Sequence, residues 1–185
     1  MNDFQSNTDD ELLGLAAGGN DAAFTALYRR RQSGIYRFAL HMSGSASVAE
    51  EVTQDVFLAL IRNFGAYNPQ RGTLSAFLYG IARNLVLRSF EMGSFCILDP
   101  ALASGASPLA DLTRNEAIAG VRQAVLSLPE TYREAIVLCD LEEVSYAEAA
   151  EILRVPVGTV RSRLNRGRSM LADKLQGKVM HHEIR

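Results

Sequence analysis

Cysteine is scarce in this sequence: Cys96 and Cys139 are the two present among 185 residues. They lie far apart, and neither belongs to a C-x-x-C pair or a mixed cysteine–histidine cluster. That spacing speaks against a disulfide framework and a zinc site, and for free thiols in a reducing cytoplasm. Histidine is equally thin, with His41 alone and His181-His182 in the tail beside Glu183. No acids, thiols or activated hydroxyl converge on these imidazoles, so the expectation is no catalytic residue, no metal, no cofactor and no enzymatic activity. The tail pair reads as chain end rather than ligand set. Long apolar runs are missing as well; none approaches the ~20 residues that a membrane span requires, and no membrane insertion is expected. The stretch from Met1 to Glu11 is acidic and polar, the wrong chemistry for a secretory signal. Nor is there an excess of positive charge. A net charge of −2 means that nucleic acid cannot be held by bulk electrostatics alone, only through local patches or with a partner's help.

Such patches are present. From Glu130 to Glu151 the acids are Glu130, Glu134, Asp140, Glu142, Glu143, Glu148 and Glu151, against the single base Arg133. From Arg154 to Lys178 the sign inverts, with Arg154, Arg161, Arg163, Arg166, Arg168, Lys174 and Lys178 against Asp173. A solvated helix face is the usual source of charge runs. A switch of sign at a helix boundary asks for more.

Helix signals dominate, and no stretch alternates as a strand would. Thr8 with Glu11 forms a capping box for a first helix that Gly18-Gly19 ends. A long second helix is predicted from Asp21, with Phe24, Leu27, Tyr28, Ile35, Phe38 and Leu40 as apolar positions and Gly44 as its stop. Ser47 with Glu50 is the expected cap of a third, whose Val48, Val52, Val56 and Leu60 recur every four residues. Asn68-Pro69 and Arg71-Gly72 make a turn, and a fourth helix spans Leu74 to Phe90. Between Gly93 and Thr113 lysine and arginine vanish while Gly, Ser and Pro accumulate, which reads as a flexible linker. Its large apolar groups are few, so the two halves are expected to move relative to each other. Four more helices follow. The first carries Ile118, Val121, Val125 and Leu128 as a stripe, Pro129 starts the second, Ser145 with Glu148 caps a short third, and Val155-Pro156 turns into the fourth.

A short capped helix, a tight turn and a basic helix have the shape of a helix-turn-helix. On a wheel of about 100° per residue, Val157, Val160, Leu164, Leu171 and Leu175 form one stripe of the last helix. Ser162, Asn165, Arg166 and Ser169 lie opposite, flanked by Arg161 and Arg163. Arginine is the best bidentate reader of guanine, so Arg161, Ser162, Asn165 and Arg166 are the base-edge candidates. Arg163 and Arg168 are assigned to phosphate, which positions without specifying.

The same residues carry a resemblance. Leu128-Pro129-Glu130, Ser145-Tyr146-Ala147-Glu148-Ala149-Ala150 and Pro156-Val157-Gly158-Thr159-Val160-Arg161-Ser162-Arg163-Leu164 resemble region 4 of extracytoplasmic-function sigma factors of the sigma-70 family. Ala49-Glu50-Glu51-Val52-Thr53-Gln54-Asp55-Val56-Phe57 is similar to region 2.2 of the same family. Phe64, Tyr67, Arg71-Gly72 and Leu74 to Arg88 resemble regions 2.3 and 2.4. The resemblance implies an all-α chain of two small helical domains: a region 2 bundle over 1–92 and a region 4 helix-turn-helix over 114–176. A linker over 93–113 joins them, and a tail over 177–185 follows. It implies a cytoplasmic factor that directs core RNA polymerase to promoters. Glu51, Gln54, Asp55 and Leu58 would meet the clamp helices of the largest polymerase subunit. Phe77, Tyr79, Arg83, Asn84 and Arg88 would serve the melted −10 strand by stacking and phosphate tracking, with Asn84 at a flipped base. Arg161, Ser162, Arg163, Asn165, Arg166 and Arg168 would hold the −35 duplex. An anti-sigma protein that clamps the domains together is implied too. Phe77 stands where the family commonly has tryptophan, Gly80 where a basic residue is frequent, and Ser89-Phe90-Glu91-Met92 lacks the usual basic cluster. The rival readings are a free-standing dimeric helix-turn-helix regulator and an enzyme with an appended DNA-binding domain.

Overall fold

In a computed structural model, residues 4–91 and 110–182 are described, with side chains over 4–91 and 118–176. Much of the expected linker, and Cys96 with it, lies outside them. Among the described residues there are helices and no strands. Helix α1 (Asp9–Ala17) opens on the predicted capping box: Glu11 N donates to Thr8 Oγ1 at 3.3 Å, and Thr8 N donates to Glu11 Oε2 at 2.9 Å. Asp9 then ion-pairs with both Arg30 and Arg31, fixing α1 across the next helix. Helix α2 (Asp21–Ser43) is capped by Asn20 and stopped by Gly44, whose φ of 73° is open to a residue without Cβ.

Helix α3 (Ala46–Arg62) begins earlier than its sequence pattern suggests. The N-cap is Ser45, which accepts from Val48 N at 3.3 Å, and not Ser47. The left-handed turn at Gly44 leaves the chain extended at Ser45 (φ −121°, ψ 124°), so the helix can start at once and Ser47 falls inside its first turn. Val48, Val52, Val56 and Leu60 are all buried, as the four-residue repeat requires. Two single 3-10 turns, Phe64–Ala66 and Pro69–Arg71, lead to α4 (Leu74–Glu91). Burying one such Leu or Val contributes ~1.5–3 kcal/mol, which makes this shared stripe the main support of the first bundle.

The second half comprises α5 (Ala110–Leu126), α6 (Glu130–Ile136) continued by a π-helical turn over Val137–Leu141, α7 (Tyr146–Leu153) and α8 (Val157–His182). Only the later part of the α5 stripe is core: Val125 and Leu128 are buried, while Ile118 and Val121 are exposed. It is the C-terminal end of α5 that meets the first half, through Leu126 against Gly44. The two halves are docked, with α4 on α7 and α2 on both α5 and the π turn. Arg133, the single base of the acidic run, donates to the carbonyl of Met42 at 2.8 Å across this junction. The structure describes the two halves in one docked arrangement, joined by charged pairs far apart in sequence.

Candidate polymerase and nucleic-acid interfaces

Helix α7 starts on its capping box, Glu148 N donating to Ser145 Oγ and Ser145 N to Glu148 Oε2, both at 3.2 Å. It ends at Arg154 in the left-handed region (φ 54°), and Val155-Pro156 swings the chain into α8. Ala149, Ala150, Ile152 and Leu153 of α7 are buried with Val160 and Leu164 of α8. That burial fixes the rotation of α8. Arg161, Ser162, Asn165 and Arg166 are exposed together along its first turns, Arg163 is half-buried on the flank, and Val157, expected in the apolar stripe, is exposed. Ser162 Oγ donates back to Thr159 O at 2.9 Å. Arg168 is exposed but engaged: its Nε and Nη2 donate to Asp140 Oδ2 and Oδ1 at 2.9 and 2.6 Å. The Asp140 carboxylate holds this guanidinium firmly protonated, above its ordinary range.

On α3, Glu51, Gln54, Asp55 and Leu58 are exposed on one face. Leu58 is 36 % exposed and Ile61 46 %, and both rim an apolar groove that Phe24, Tyr28, Tyr36 and Phe57 floor. The sequence pattern marked Phe24 and Tyr28 as core and did not mark Tyr36 or Ile61. A wheel of α3 alone cannot show that α2 leaves a groove beside it.

The α4 set divides. Asn84 and Arg88 are exposed. Phe77 is half-buried, its ring 5.7 Å from that of Tyr67, and the two line a cleft with Arg71 and Asn84. Burial and a hydrogen bond to Asp10 push the Tyr67 phenol up to about 12. Tyr79 is placed differently from expectation. It is 7 % exposed, its ring lies 5.5 Å from Phe38, and its hydroxyl donates to Glu142 Oε2 at 3.2 Å. A ring so enclosed offers no face to a base in this arrangement, and burial lifts its phenol well above the usual range. Arg83 is spoken for as well, its Nε donating to Glu134 Oε1 at 2.6 Å. Glu134 is 1 % exposed; burial raises its carboxyl above the ordinary range, and the Arg83 hydrogen bond offsets part of that rise.

Cys139 is a half-buried free thiol that burial pushes up to about 11. Among the described residues no cluster of His, Cys, Asp and Glu could hold a metal ion, and no helix is long and apolar enough to cross a membrane.

Comparison with known proteins gives the context for these surfaces. The sigma-70 region 2 family model matches residues 27–93 and the sigma-70 region 4 model matches residues 119–171. The chain is 35 % identical over 179 residues to the ECF RNA polymerase sigma factor SigE of Mycolicibacterium smegmatis, covering 90 % of this chain and 69 % of that one. It is 31 % identical over 182 residues to the RNA polymerase sigma-H factor of Pseudomonas aeruginosa, covering 91 % and 94 %. In fold it is similar to CnrH in complex with the cytosolic domain of CnrY, with a TM-score of 0.72 at 24 % identity over 92 % of this chain and 99 % of that one. The sigma factor RpoE of Bartonella quintana, in complex with the anti-sigma factor NepR, gives 0.63 at 24 % identity over 83 % and 96 %. With both family models matched in order on the two helical halves, the chain belongs to the extracytoplasmic-function group of sigma-70 factors, which direct core RNA polymerase to promoters and initiate transcription.

Proposed function

We propose that three surfaces divide the work of this sigma factor. The α3 face of Glu51, Gln54, Asp55 and Leu58 docks on core polymerase, its acidic and polar groups meeting the basic clamp helices of the largest subunit while the adjoining groove takes an apolar side chain. The α4 surface engages the melted −10 strand. Asn84 and the Tyr67–Phe77 cleft receive a base, and Arg83 and Arg88 track phosphate. The first turns of α8 enter the major groove of the −35 duplex, where Arg161, Ser162, Asn165 and Arg166 reach base edges and Arg163 and Arg168 position the backbone.

The observation that carries this reading is the rotation of α8. With Val160 and Leu164 turned inward, its four base-edge candidates stand in solvent on one face. Region 2 over residues 27–93 has no place in a free-standing dimeric regulator. The fold neighbours were solved with the cytosolic domain of CnrY and with the anti-sigma factor NepR. A cytoplasmic anti-sigma partner is accordingly proposed for this chain also. Transcription in vitro by core enzyme plus this chain, on a library randomised at both promoter elements, tests the assignment. Enrichment of one −35 motif that Arg166→Ala relaxes at a single base is the expected result; motifs indifferent to every α8 substitution would remove it.

A further inference from the structure

Four of the seven acids between Glu130 and Glu151 point at the first domain. Arg83 Nε donates to Glu134 at 2.6 Å. Arg37 donates through Nε and Nη2 to Glu142 Oε1 and Oε2 at 3.1 and 2.7 Å. Thr73 Oγ1 donates to Glu148 Oε1 at 2.6 Å. The Glu151 carboxylate lies over Gly72, where a Cβ would stand 2.4 Å from Oε2. With Arg154, Glu151 also roofs the cleft that holds Tyr67, Phe77 and Asn84. The remaining acids Glu130 and Glu143 are exposed, and Asp140 pairs within its own domain.

We infer that the acidic run is an intramolecular stand-in for the −10 strand: its carboxylates occupy the cations and polar donors that DNA phosphates would use, and α7 caps the base-receiving cleft until polymerase draws the domains apart. This rests on the proposed role of the α4 surface. The charge pattern fits, since carboxylates follow one another along the second domain where the first presents Arg37, Thr73 and Arg83. The site is also shaped for the contact. Gly34 sits mid-helix, where glycine is costly, and a Cβ there would lie 2.8 Å from the Tyr79 hydroxyl and 3.5 Å from Glu142 Oε2. Burial raises the carboxyls of both Glu134 and Glu142, as befits groups drawn out of water to meet a partner. The fold thus answers the puzzle of an acidic block beside a basic helix. The block covers one domain's DNA surface while the helix serves the other's.

The test is binding of a fluorescent single-stranded −10 oligonucleotide to the full free chain. Glu134→Gln with Glu142→Gln should bind about tenfold more tightly than the unaltered chain. Its log–log salt slope should steepen by roughly 1.4, since each of two freed cations adds about 0.7 on a single strand. Glu130→Gln with Glu143→Gln changes net charge equally and should leave affinity where it was. Equal gains in both pairs, or none in either, would overturn the inference. Should the first pair fail to fold, Arg37→Glu should enlarge the chain's radius of gyration and the swap Arg37→Glu with Glu142→Arg should restore it; unchanged dimensions would equally overturn it. Strand binding by the holoenzyme separates the two levels. If Arg88→Ala has no effect there, the α4 role itself is wrong; if it weakens binding while both free-chain pairs behave alike, the stand-in alone is wrong.

Discussion

A methyl group added at Gly167 would come within 2.9 Å of Ile136 Cγ1 and 3.5 Å of Tyr132 Cβ, inside the packed α6–α8 contact. Alanine gains ~1 kcal/mol over glycine in a helix interior, but overpacking a core typically costs ~1–3 kcal/mol. Gly167→Ala should therefore lose stability in urea unfolding. At Gly80 a methyl meets nothing within 4 Å, so Gly80→Ala should gain about 0.5–1 kcal/mol in the same measurement. The α8 arginines divide by what they touch. Arg161→Ala or Arg166→Ala should cost about 1–3 kcal/mol for the preferred promoter in holoenzyme binding, and relax a single base. Arg168→Ala should weaken all duplexes alike, and Asp140→Asn, by releasing Arg168, should tighten them alike. The loss of that exposed pair would itself cost only ~0–1 kcal/mol of stability. Titrating the variants against salt would sort them, since a phosphate contact changes the slope by about 0.9.

Helix α3 is the element on which polymerase recruitment is expected to turn. Reversing Gln54 and Asp55 to lysine leaves its buried valines untouched, so the fold should shift by less than ~0.5 kcal/mol while core-enzyme pull-down fails. Retention at full affinity would move the docking face elsewhere. The same helix shows what can be read from sequence and what cannot. Its valine repeat is a local property and predicts its own burial. Its start is not legible in the sequence, because Ser47 with Glu50 completes a capping pattern that Ser45 with Val48 lacks, and the left-handed turn at Gly44 nonetheless puts the cap at Ser45. The boxes at Thr8 and Ser145 were legible because all their partners lie within three residues. Tyr79 and Arg83 are engaged by Glu142 and Glu134, 63 and 51 residues away, and no local pattern announces such partners.

The docked halves of the molecule should respond to mild acid at His41, in the last turn of α2. Burial first, then the charges of Arg122 on α5 and Arg37 on α2, hold its imidazole below the ordinary histidine range. The part of that depression that docking supplies, through Arg122 on α5, favours the docked state above the undocked value and is lost as pH falls through the docked value. Scattering between pH 7.5 and 5.5, compared between the unaltered chain and His41→Gln, isolates the histidine contribution; identical profiles would exclude it.

The 105 residues between Arg37 and Glu142 also set an order of events at the ribosome. Translation at about 5–20 residues per second delivers the carboxylate roughly 5–20 s after the guanidinium it meets. The first helical bundle, whose own stripe closes within residues 9–91, has ample time to fold in that interval, because helix formation takes microseconds or less. A nascent chain therefore presents a folded bundle with its arginines uncovered before the second domain exists. Premature engagement of nucleic acid by the α4 surface is open to it during that window, whereas the α3 face stays exposed before and after the second domain docks.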